Sequence, residues 1–78
     1  MVTVELSIQA TNGKWMFKEI VCLRPNVGDD ILENGEVFEV HAIALQAYES
    51  KVLAKVRHDS GKRLTMAALK KRGFLITK

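Results

Sequence analysis

Cysteine, proline and long apolar runs are all scarce in this sequence, and each shortage removes a class of protein. Cys22 is the single cysteine, so no disulfide can form within the chain. Pro25 is the single proline, and no repeat, linker or low-complexity tract interrupts the pattern. The longest apolar stretches, such as Ala42–Leu45 and Met66–Leu69, are only a few residues long. A membrane span needs about 20. The opening Met1-Val2-Thr3-Val4-Glu5 has no basic region and alternates apolar with polar, so it does not read as a signal peptide. The expected location is cytoplasmic, with no membrane partner.

What remains is the composition of an ordinary globular chain. Hydrophobic residues make up 47% of the 78 and charged residues 27%, too apolar for disorder. The expected organisation is a single domain over 1–78. A chain this short buries only about 60–65% of its unfolded surface, so the core is thin. It has no room for a cleft between two domains. Any site must lie on a sheet face, in a loop or at an interface.

Charge is distributed unevenly. Residues 1–50 carry three basic residues (Lys14, Lys18, Arg24) against eight acidic ones, a balance of −5. Residues 51–78 carry nine basic residues against Asp59 alone, a balance of +8. Such asymmetry points either to an acidic partner or to two halves that neutralise each other across the fold.

Period-two alternation dominates the chain. Val2, Val4, Leu6, Ile8 and Ala10 alternate with polar residues, as in a half-buried strand. Asn12-Gly13 suggests a type I′ hairpin turn. Trp15–Leu23 returns with two rather apolar faces, as a central strand covered on both sides would. A loop follows through Pro25 and Gly28, then Ile31-Leu32 and a second hairpin dipeptide, Asn34-Gly35. Glu36 to Leu45 reads as a strand with Phe38, Val40 and Ala42 on one face. In Lys51–His58, Val52, Ala54 and Val56 face inward, while Lys51, Leu53, Lys55 and Arg57 share the other face. Asp59-Ser60-Gly61 is a turn, and Lys62–Thr65 a short strand. Thr65–Gly73 has the start signal, helix formers and terminal glycine of one or two helical turns, and Phe74–Thr77 closes as a strand.

Val27-Gly28-Asp29, Gly35, Phe38-x-Val40, Val52–Val56, Ser60-Gly61, the turn ending near Leu69 and the strand at Phe74–Ile76 together resemble SH3-like small β-barrels. These include the KOW-type domains of translation and transcription proteins. The resemblance covers roughly residues 20–77 and leaves the first strand as an addition. Glu39 and His41 stand where a KOW-type strand has its second glycine. The expected fold is mostly β: a small SH3-like barrel or a strongly bent antiparallel sheet of 5–6 strands, with one short α or 3₁₀ turn near residues 66–72.

The residues with chemical potential are mainly basic. Lys51, Lys55 and Arg57 share a strand face, Lys62 and Arg63 follow the next turn, and Lys70, Lys71 and Arg72 crowd the end of the helical turn. If they converge, they form a stripe suited to phosphates. Trp15 and Tyr48 are the aromatics placed for exposure and base stacking, while Phe38 and Phe74 read as core. His41, His58 and Cys22 lack the close spacing of metal ligands, so no metal or other cofactor is expected. His58-Asp59-Ser60 has the residue types of a catalytic triad, but three consecutive residues cannot build one among themselves. No catalytic residues are expected, and the chain reads as non-enzymatic. The leading expectation is a nucleic-acid-binding domain using the basic C-terminal face on DNA or RNA. The alternative is a protein-interaction module of the small phage or mobile-element type, docking on an acidic protein surface or forming a homodimer. The edge strand expected for such pairing is Val2–Ala10.

Overall fold

A computed structural model of the chain describes residues 1–45 and 51–76. Five strands and one short helix follow in order: β1 (Val2–Gln9), β2 (Trp15–Cys22), β3 (Asp30–Glu33), β4 (Glu36–Leu45), β5 (Lys51–His58) and α1 (Met66–Lys71). The strands form one sheet in the order β2-β1-β5-β4-β3, curled into a half-barrel.

Local turn chemistry explains the hairpins. Asn34 and Gly35 join β3 to β4 with φ of 51° and 78°, the two positive angles of a type I′ turn. The β1–β2 turn is built differently from the expectation. Only Gly13 has positive φ there (84°), and its N–H donates to the Ala10 carbonyl, so the Asn-Gly pair ends a turn rather than forming the centre of a type I′ one. α1 begins where its cap predicts: the Thr65 hydroxyl accepts from the Ala68 N–H at 3.1 Å. Its preceding segment, Lys62–Leu64, is irregular and not a strand. One backbone bond ties it down, from the Thr11 N–H to the Leu64 carbonyl at 3.0 Å.

The inner face follows the alternation. Val4, Leu6 and Ile8 of β1, Phe38 and Val40 of β4, and Val52, Ala54 and Val56 of β5 are buried with Met16, Leu69 and Phe74. Phe38 sits at the centre, its ring 5.7 Å from Phe74 and edge-on to His58 at 5.5 Å. β4 breaks its own alternation. Val40 pairs with Val56 and Ala42 with Lys55, so His41 is an extra, bulged residue. Past the bulge the faces exchange: Ala42, expected inside, is exposed, and Ile43 turns toward the core.

The two outermost positions differ most from the sequence reading. β1, expected at an edge, lies inside the sheet between β2 and β5. Its pairing with β5 is parallel, from Thr3↔Lys51 to Ser7↔Lys55. β2, expected to be central, is an edge strand whose outward side chains include an exposed Val21. Local periodicity reports which face is buried but not which strand pairs with which.

The sheet is not left open along its whole edge. Phe17 of β2 bridges to Leu75, with N–H to carbonyl distances of 2.7 and 2.8 Å. The closing strand expected at Phe74–Thr77 is thus a single bridge within the described residues. Lys18 of β2 reaches across to Glu33 of β3 at 3.2 Å and donates to the Arg72 carbonyl at 2.8 Å. The two outer strands are therefore latched together beside the C-terminal end of α1. No helix among the described residues is long and apolar enough to cross a membrane.

Candidate functional site

At one end of the sheet the chain surrounds a cleft of about 320 Å³. Strand direction creates it. Because β1 and β5 are parallel, both finish at this end, and the antiparallel β2 starts there. Trp15, opposite Gln9 on β1, is thereby brought two strands away from Lys55. The Lys55 ammonium lies 5.5 Å from the centre of the Trp15 ring, a cation–π distance. The 59–63 segment forms the far wall. Gly61 turns it at φ 75°, its N–H donates to the His58 carbonyl, and Lys62 and Arg63 line the opening.

The lining includes Trp15, Lys55, Arg57, Lys62, Arg63, His41 and His58, with no carboxylate among its members. Among the described residues, Lys55, Arg57, Lys62 and Arg63 make no ion pair with a carboxylate. The nearby carboxylates lie closest to the two histidines, with Asp59 3.5 Å from His58 and Glu39 also opposite Arg57 across β4 and β5. Glu39 lies 3.2 Å from His41, and Glu36 lies 3.1 Å from His58. Trp15 is 39% exposed, so a planar ligand could reach its face. Four cations with no carboxylate in ion-pair contact among the described residues, set around an accessible indole, suit an anionic ligand with an aromatic part.

Five of the residues singled out from the sequence thus meet here: Trp15, Lys55, Arg57, Lys62 and Arg63. The others do not. Lys51 is committed elsewhere: Glu5 and Glu19 face each other directly across β1 and β2, and Lys51 lies 3.7 and 2.9 Å from their carboxylates. Arg72 clamps Glu36 through Nε and through Nη2 at 3.0 Å, and donates from Nη1 to the Ala68 carbonyl at 2.8 Å. Lys70 and Lys71 are exposed on α1 and do not line the cleft. Tyr48 lies outside the described residues. Lys51 and Arg72 thus pair with carboxylates of the acidic half, whereas Lys55, Arg57, Lys62 and Arg63 gather at the cleft.

His41 and His58 enter the cleft unanticipated. The bulge that turns out His41 has no sequence signal, since it depends on the β4–β5 register. His58 holds the turn together. Its Nδ1 lies 2.8 Å from the Ser60 hydroxyl and accepts from the Ser60 N–H at 3.3 Å, while Nε2 faces Glu36. The Ser60 hydroxyl also accepts from the Lys62 N–H at 3.3 Å, which fixes the start of the cationic wall.

Glu36 connects this wall to the helix. The hydrogen bond from the Arg72 guanidinium holds its carboxyl below the ordinary value of 4.5, with His58 adding to the effect and partial burial opposing it. A carboxyl lowered on folding stabilises the fold above its unfolded pKa, and that contribution disappears as pH falls through the folded value. Glu36→Gln should therefore lower the urea midpoint at pH 7, and the gap from the parent protein should close as the pH drops below about 4.5. Urea titrations at a series of pH values measure it. A gap independent of pH would remove the charge from this account.

No protein-family model matches the chain, and neither a curated protein nor a solved structure matches it.

Proposed function

We propose that the chain is a non-enzymatic, cytoplasmic nucleic-acid-binding domain that holds unpaired DNA or RNA in the cleft between Trp15 and the 59–63 segment. One observation carries the reading: four cations with no carboxylate in ion-pair contact among the described residues surround an accessible indole. Lys55, Arg57, Lys62 and Arg63 take phosphates, and Trp15 stacks against one base. A base inside a duplex is covered on both faces by its neighbours, so a platform of this kind favours single strands. Nothing in the lining dictates base identity, and affinity is expected to depend on salt more than on sequence.

Trp15 is the only tryptophan, so intrinsic fluorescence reports on the cleft directly. A single-stranded oligonucleotide should quench it at low salt, and a duplex of equal length should quench less. An oligomer of abasic sugar-phosphate should bind without comparable quenching. Trp15→Ala should weaken oligonucleotide binding by about 1–3 kcal/mol while leaving the abasic oligomer nearly unaffected. No binding at low salt would overturn the reading. So would equal competition by polyglutamate with no base-dependent quenching, which would make the partner an acidic protein surface.

A further inference from the structure

The other end of β2 has the opposite character. A hollow of about 410 Å³ is lined by Val21, Leu23, Ile31 and Leu32, with Arg24, Asp29 and Asp30 in the same lining. Val21 is 64% exposed, Leu23 78% and Leu32 71%. Single exposed apolar residues are ordinary, but a contiguous group of this kind around one depression marks a contact surface. The backbone beside it is also open. Phe17 directs its N–H and carbonyl outward to Leu75, and backbone direction alternates along a strand, so Glu19 and Val21 point the same way. Among the described residues they meet no backbone partner on that edge.

We propose that this end of the sheet is the interface of a symmetric dimer of this chain. The charges name the occupant. Arg24, Asp29 and Asp30 put charges of both signs in the hollow, so a second copy related by a two-fold axis can set its Asp29 and Asp30 against Arg24, and receive the same contact in return. A partner of uniform charge would satisfy one sign and repel the other. Apolar Val21, Leu23 and Leu32 then pack against their counterparts, and the open β2 edge lies alongside that of the second copy. Trp15 and Cys22 bound the eight-residue β2 and lie roughly 23 Å apart at about 3.3 Å per step, so both basic clefts stay open in such a dimer.

The test is sedimentation of the full chain over a concentration series. The parent protein should pass from the mass of one chain to that of two. Leu23→Asp should hold it at one chain at every concentration while its thermal transition stays intact. Arg24→Asp and Asp30→Arg should each weaken association, because like charges then face each other. Mixing these two variants should restore a two-chain species, since each charge again meets its opposite. A single-chain mass throughout for the parent protein would overturn the proposal, as would a dimer unmoved by Leu23→Asp or a mixture that fails to reassociate. Oligonucleotide binding by the Leu23→Asp monomer is measured separately, so failure here is distinguishable from failure of the nucleic-acid reading.

Discussion

Lys55→Glu with Arg57→Glu should abolish nucleic-acid binding, whereas Lys70→Glu with Lys71→Glu should leave it almost unchanged. The two pairs alter net charge equally, so the comparison separates a site from a generally basic protein. Lys55 and Arg57 line the cleft, and Lys55 also sits over Trp15. Lys70 and Lys71 lie outside it on α1. A hydrogen bond to a charged group contributes about 1.5–3 kcal/mol, so losing two phosphate contacts predicts a drop of about 100-fold or more, before any repulsion from the new carboxylates. Salt dependence provides a second readout. Four contacts to a single strand predict a log–log slope near −3, at about 0.7 per phosphate. The cleft variant should flatten that slope by at least half, and the helix variant should preserve it. Fluorescence anisotropy with one labelled oligonucleotide at several salt concentrations measures both. Equal losses from the two variants would mean that overall charge, and not the cleft, attracts the ligand.

The largest effect on stability should come from Phe38→Ala. Phe38 is 1% exposed and touches both halves of the inner packing, with Phe74 on the C-terminal segment and His58 at the end of β5. Truncating a buried phenylalanine costs about 3–5 kcal/mol through lost burial and the cavity left behind. A domain of this length has about 4–12 kcal/mol in total, so the variant should be near or past its unfolding threshold. Where it still folds, its melting temperature should fall by roughly 12–40 °C. Phe38→Leu keeps much of the volume and should fold with a smaller loss. It also removes the edge contact beneath His58, so the 59–63 wall should loosen and Trp15 quenching should weaken before global stability fails. Circular dichroism melts followed by the fluorescence titration distinguish the two effects. Full stability in Phe38→Ala would contradict the packing described here.

Much of the fold was legible in the residues because it depends on short-range chemistry. Alternation in Val2–Ala10 and Lys51–His58 marked the buried faces of β1 and β5. Asn34-Gly35 marked a turn that needs two positive φ angles, and Thr65 marked the start of α1. The shared outward face of Lys55 and Arg57 followed from the period of a strand. These features need only nearest-neighbour geometry, and the sequence alone determined them, along with the division between an acidic front and a basic back.

Only the tertiary structure decided which strands meet. The parallel pairing of β1 with β5 joins segments about fifty residues apart, and no periodicity records it. That pairing put β1 inside the sheet and β2 at its edge, reversing the expectation from how apolar each strand looked. It carried Trp15 to Lys55 and left Val21, Leu23 and Leu32 uncovered. It also brought Lys51 to the opposed Glu5 and Glu19, while the C-terminal turn brought Arg72 to Glu36. A side chain's type sets what it can bind, but its charge is available to a ligand only if the fold has not already supplied a partner. Among the described residues, the fold sets no carboxylate within ion-pair distance of Lys55, Arg57, Lys62 or Arg63.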